Sequence, residues 1–210
     1  MSLGGRTGRL HFAAFEARDV AALVAALSDP AINEDDQHRV IHYLSQLADD
    51  RSTAALATIL RESHSTTLRT AAARGLGGRR GPCVMEALRA GARDHEHQVR
   101  AWSVASLAAG GHHGALGAIR GALEDPHRDV RAFAARALGE MADIDAIHQL
   151  ESALADRSSL VATNAERALE AIGTPEAVAA VERASTSARG LLRRRRLSRR
   201  ASRMRERALE

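Results

Sequence analysis

Lysine is absent from this chain, and its thirty basic residues are all arginine. Together with abundant alanine, that bias points to a GC-rich bacterial genome. Cysteine occurs once, as Cys83, which rules out an internal disulfide and a cysteine-based zinc site. Aromatics are few: one Trp, one Tyr and three Phe. A globular α/β core wants more bulk, whereas closely packed helices tolerate small side chains, which let the axes approach. No apolar run reaches the roughly 18–20 residues that a membrane-spanning helix needs. The first nine residues, MSLGGRTGR, lack the apolar segment of a secretory signal. The expected location is cytoplasmic. The four prolines are too sparse for a proline-rich linker, and several mark helix boundaries.

What the chain does have is a repeat. Asp94, Asp125 and Asp156 lie 31 residues apart, and so do Leu68, Val99, Val130 and Val161. Leu76, Leu107, Leu138 and Leu169 keep the same spacing, as do Met85, Leu116, Ile147 and Val178. Several columns in phase, at a period between 20 and 50 residues, signal units that bury their apolar faces on their neighbours.

Within each unit the pattern is that of a helix pair. Val130, Ala134, Ala137 and Leu138 follow the i, i+4, i+7, i+8 spacing of one buried helix face, and Ile147, Leu150 and Leu154 mark a second. Glycine and proline split the pairs at 75–82, Gly110-Gly111 and Gly173-Thr174-Pro175. An Asp or Ser before each first helix is expected to cap it. Residues 1–9 are expected to be disordered, residues 10–187 to form the solenoid, and residues 188–210 to form an Arg-rich, helix-prone tail. A helix over 10–28 is expected to cap the first repeat with Phe12, Phe15, Leu23 and Leu27.

The pattern D-x-x-x-x-V-R-x-x-A-x-x-A-L-G is clearest as Asp125, Val130, Arg131, Ala134, Ala137, Leu138 and Gly139. With its second short helix it resembles HEAT-like repeats, in particular the short type of phycobiliprotein lyase subunits, over about residues 33–186. The resemblance implies an all-α fold: a right-handed α–α superhelix (HEAT-like solenoid) of about five helix pairs behind an N-terminal capping helix. It also implies a hydrogen-bonded ladder across neighbouring turns, with Asp94/Arg100 and Asp125/Arg131 as rungs. The fifth repeat has Ala162 where the arginine belongs.

Ten histidines raise the question of a metal. The HEAT-like di-iron enzyme deoxyhypusine hydroxylase carries His-Glu pairs inside its first helices, where this chain has Ala101-Trp102 and Ala132-Phe133. Its His95-Glu96 pair falls in a turn. His64 and His95 belong to successive repeats, whose helices sit about 8–10 Å apart, too far for shared ligation. The histidines are read as solvated turn residues and no metal is expected. Cys83, near a helix start, has no partner in sequence to make it a nucleophile. The HEAT-like alkylpurine DNA glycosylases use aromatic and basic residues with a catalytic acid. Here Trp102 and Tyr43 lack aromatic company, and Trp102 is read as core. No catalytic residue and no cofactor is expected.

Two surfaces carry the functional expectation. Arg89, Arg120, Glu151 and Glu182 form a column at the repeat spacing, on the helices that line the concave side in HEAT-like folds. They would present two positive and then two negative groups to a protein partner. The tail is the second surface. Residues 189–210 hold ten arginines and two carboxylates, so the net charge of +4 hides a mildly acidic body. Arg193, Arg194, Arg195, Arg196, Arg199, Arg200 and Arg203 are the anion-binding candidates, beside a stripe of Leu197, Ala201, Met204 and Ala208. Four readings fit: nucleic acid, an anionic membrane surface, an acidic protein, or the chain's own acidic body. Self-repulsion predicts partial disorder when the tail is free. The expected function is a non-catalytic adaptor that binds a protein partner through the concave helix surface, its basic tail meeting an anionic surface. The alternatives are nucleic-acid association through the tail and a chaperone-like or lyase-type accessory subunit.

Overall fold

The computed structural model describes residue 14 and residues 19–27, 32–47, 49–187 and 191–208, with the side chains of 187, 191–195 and 208 left undescribed. The expectations for residues 1–9, Phe12, Phe15 and Ala208 lie outside that description. All regular structure among the described residues is helical. The chain divides into two compact units, Met1–Gly110 and Gly111–Glu210. The division falls at Gly110-Gly111, between the two helices of the third repeat.

The first unit holds α1 (Val20–Leu27), α2 (Glu34–Gln46), α3 (Asp50–Glu62), α4 (Thr66–Gly75), α5 (Pro82–Gly91) and α6 (His97–Ala109). α1 packs on α2 and α3 and buries Leu23 completely. The first helices α2, α4 and α6 stack in order, and α3 stacks on α5. Side-chain oxygens cap three of the helices: Asn33 accepts from the Asp36 amide at 2.8 Å, Asp49 from Ser52 at 2.8 Å, and Ser65 from Leu68 at 3.4 Å.

The second unit holds α7 (Leu116–Gly121), α8 (Arg128–Glu140), α9 (Ile147–Ala153), α10 (Ser159–Ile172), α11 (Pro175–Ser187) and α12 (Leu191–Ala208). Single 3₁₀ turns precede α7 and α9 and follow α7. α8 packs closely on α10, and α12 packs on α11.

The repeat columns are the core. Leu76, Leu107, Leu138 and Leu169 are wholly buried, as are Val99, Val130 and Val161. The turn columns also recur. Gly111, Ala142 and Gly173, each 31 residues on, all have positive φ, at 64°, 49° and 66°. Ala142 holds a left-handed conformation that costs a non-glycine residue about 1–2 kcal/mol.

The ladder runs differently from the expectation. Within the second unit Arg131 grips the carboxylate of Asp156, 25 residues ahead, through Nε at 2.7 Å and Nη2 at 3.0 Å. Its Nη1 donates to the backbone carbonyls of Asp125 and Pro126. Arg69 treats Asp94 and the carbonyls of Ser63 and His64 in the same way within the first unit. The Arg therefore meets the carbonyl of its own repeat's turn and the carboxylate of the next. Nor do these aspartates cap a helix directly. Asp94, Asp125 and Asp156 each accept the amide two residues on, bracing the turn ahead of the helix. At the next step of both columns stand Ala162 and Ser187, so the ladder's paired residues end together.

Candidate functional site

In the first unit, the stacked first helices leave a groove of about 430 Å³. Small residues make its floor: Ala71 and Gly75 from α4, with Gly77 just beyond. His38 and His42, one turn apart on α2, line one side and Trp102 of α6 the other. Trp102, expected as core, is half-buried in the groove wall. The Arg74 guanidinium lies over the indole, 4.6 Å from the ring centroid. Stacking of that kind engages the face of the guanidinium and leaves its N–H edge for hydrogen bonds.

Arg79 sits near one end of this groove and is structural. Its guanidinium donates to the carbonyls of Leu44, Ser45, Leu47 and Gly75 and to the hydroxyls of Ser52 and Thr53. It closes the C-terminal end of α2, where orphan carbonyls need donors. Burial pulls its pKa below the ordinary arginine value, against the opposing charge of Asp49. No spacing in the sequence marks Arg79, because most of its partners come from α2, α3 and the turn between them.

The second unit carries the charged column. Arg120 is held by Asp143 at 2.6 and 2.7 Å and by Asp145 at 2.9 Å. The hydrogen bond that Arg120 donates to Asp143 pushes its pKa up despite some desolvation. Glu151 is gripped by Arg183 at 2.9 and 2.7 Å, and Glu182 pairs with Arg205. Arg89 belongs to the first unit, where it is exposed on α5. The three second-unit members of the column are thus already in ion pairs within their own unit.

The tail is a helix seated on the second unit, against carboxylates of the chain's own body; the partial disorder was an expectation for the tail when free. Leu197, Ala201 and Met204 are buried, at 1–3% exposure. Opposite charge offsets the self-repulsion of the arginines. Arg196 Nε lies 3.1 Å from Glu166, and Arg200 reaches Glu166 at 3.7 Å and Glu170 at 2.8 Å. Arg207 adds a contact to Glu170 at 3.4 Å. Glu166 is only 2% exposed, and a buried carboxylate is tolerable only when paired. Arg199 and Arg203 face solvent. The side chains of Arg193, Arg194 and Arg195 lie outside the described residues.

A smaller crevice of about 230 Å³ in the second unit is lined by Arg136, Glu140, Asn164 and Arg167. Arg136 stacks over Phe133 at 4.8 Å and pairs with Glu140 at 3.3 Å. Asn164 donates to the Ala132 carbonyl at 2.9 Å. Ala71, Trp102, Phe133 and Asn164 are one repeat column, and its variability was the signal for these hollows. Among the turn histidines, His95 is exposed as expected, but His112 is buried at 8% beside the Gly110-Gly111 turn. Cys83 is exposed at the start of α5.

A family model for HEAT repeats matches residues 20–108 and 117–199. No curated protein matches the sequence. Among solved structures, an engineered protein is 20% identical with a TM-score of 0.61, covering 90% of this chain and 97% of its own. A designed armadillo repeat protein in complex with the peptide (KR)4 is 17% identical with a TM-score of 0.59, covering 90% and 99%. The Escherichia coli protein YibA is 15% identical with a TM-score of 0.60, covering 88% and 81%. At these identities the likeness is one of fold: an α-helical repeat solenoid. Among the described residues no helix is long and apolar enough to cross a membrane.

Proposed function

The chain belongs to the HEAT-repeat family, and from that premise we propose that it is a non-catalytic scaffold whose helix faces hold a protein partner. One observation carries the reading. The last repeat already holds a helix of opposite charge, α12, through Glu166, Glu170 and Glu182 and a buried apolar stripe. A face built in this way recognises a helix by charge and by a narrow apolar ridge. The designed armadillo relative bound to (KR)4 offers a parallel in fold only. In this reading the partner meets the second helices near Arg89, where the charge is exposed. Along Arg120, Glu151 and Glu182 it meets ion pairs already formed, which fix the shape and polarity of the surface more than its net charge.

The exposed Arg199 and Arg203 support a second reading, in which the outer face of α12 meets nucleic acid or an anionic membrane. A photo-crosslinking residue separates the two, placed in the full chain at Ala90 beside Arg89 or at Ser202 beside Arg203, both exposed positions. Discrete protein adducts from position 90, lost when Arg89→Glu is added, support the scaffold. Nucleic-acid or lipid adducts from position 202, with none from position 90, overturn it in favour of the second reading.

A further inference from the structure

We infer that the groove on α2, α4 and α6 of the first unit is a docking site for an acidic peptide segment, one that places a carboxylate beside an apolar side chain. The inference adds a surface to the scaffold reading and does not depend on α5 or on the tail, since every residue involved lies on α2, α4 or α6 or in the turn after α4. Three observations converge. First, small residues, Ala71, Gly75 and Gly77, line the hollow, and its volume of about 430 Å³ falls in the ordinary range of ligand pockets. Second, Arg74 is the charged side chain of its lining, with His38 and His42 beside it, and no carboxylate is among the described residues that line it.

Third, Arg74 is placed differently from the other arginines of its neighbourhood. Arg69, on the same helix, is used by Asp94, and Arg79 by four carbonyls and two hydroxyls. Arg74 instead is exposed and stacks over Trp102 at 4.6 Å. A stacked guanidinium is preorganised for a planar bidentate acceptor, which is the geometry of a carboxylate. The indole supplies the apolar contact for the neighbouring side chain, and His38, with the Nδ1 of His42 whose Nε2 is bonded to Gln46 at 2.8 Å, supplies hydrogen bonds from the opposite wall. A cationic, single-sign groove repels basic segments, so charge complementarity selects the acidic one.

Trp102 is the chain's one tryptophan, so intrinsic fluorescence reads the groove directly in the full-length protein. The probes are a short Glu/Leu peptide, the same peptide with Lys for Glu, and a single-stranded oligonucleotide of equal length. The acidic peptide should change the Trp102 emission saturably and bind at least tenfold more tightly than either of the other two. Arg74→Ala should weaken it about tenfold while circular dichroism and Tm stay unchanged. Arg93→Ala, which removes an exposed charge elsewhere in the unit, should leave affinity as it was. Equal binding of the Lys peptide, tighter binding of the oligonucleotide, or equal losses from the two alanine variants would each overturn the inference.

Discussion

Arg131 reaches backwards to the carbonyls of Asp125 and Pro126 and forwards to the carboxylate of Asp156. Both charged groups are largely withdrawn from water, at 8% and 13% side-chain exposure. The hydrogen bond from Arg131 holds the Asp156 carboxyl below its ordinary value, outweighing burial, and the Ser158 amide helps. At Asp94 burial works the other way, but Arg69 and the Glu96 amide prevail and the shift is again downward. A carboxyl with a depressed folded pKa stabilises fully above its unfolded value of about 4 and loses that contribution as pH falls through the folded value. Removing the arginine leaves a mostly buried carboxylate unpaired, so Arg131→Ala should cost about 2–4 kcal/mol. For a chain of this length that lowers Tm by roughly 2–4 °C for each kcal/mol. Thermal melts followed from pH 7 to pH 3 should show the parent losing stability below about pH 4, and the variant, already without the pair, losing less over the same interval. Parallel acid profiles would remove the pair from the account of acid sensitivity.

At the scale of helices, two glycines of the second unit should respond oppositely to the same change. A methyl group on Gly139 of α8 would stand 2.6 Å from the Ala168 Cα and 2.8 Å from its Cβ on α10. Backbone cannot swing aside, so the helices must part, and Gly139→Ala should cost about 1–3 kcal/mol. A methyl on Gly117 of α7 would meet nothing within 4 Å, and Gly117→Ala should gain up to about 1 kcal/mol from helix propensity. Chemical denaturation of the two variants checks the signs, and two changes of one sign would mean that the contact at Ala168 does not control this packing.

The same columns show what the sequence made legible. The 31-residue spacing of Leu and Val located the core, because every layer repeats the same burial. The docking of the tail was written there too, at places where the repeats differ. Val104 and Ala135 become Glu166, and Ala108 and Gly139 become Glu170. Small residues in the inner repeats give way, in the last one, to two carboxylates that meet Arg196 and Arg200. Periodicity alone hid this, since a glutamate one turn from another reads as a solvated face until a cation is placed over it. The Arg74–Trp102 stack was hidden for a related reason: its two halves lie on different helices, and only stacking of the repeats brings them together.

On the scale of the whole chain, charge is divided by side of one helix. The inner arginines of α12, Arg196 and Arg200, neutralise Glu166 and Glu170, while Arg199 and Arg203 point outward. The high pI of about 10.6 therefore overstates what the tail offers to a polyanion, because part of its charge is matched internally. The two faces should separate by mutation. Arg196→Gln with Arg200→Gln leaves the buried Glu166 unpaired and should lower Tm. Arg199→Gln with Arg203→Gln touches no pair to Glu166 or Glu170 and should leave Tm unchanged. If duplex DNA binds the outer face, each lost phosphate contact reduces the slope of log affinity against log salt by about 0.9, so the outer pair should reduce it by up to about 1.8. Fluorescence anisotropy of a labelled duplex across a salt series measures this. An unchanged slope in the outer variant would leave the helix as a cap on the last repeat, matched to its carboxylates, and would take the nucleic-acid reading away from this face.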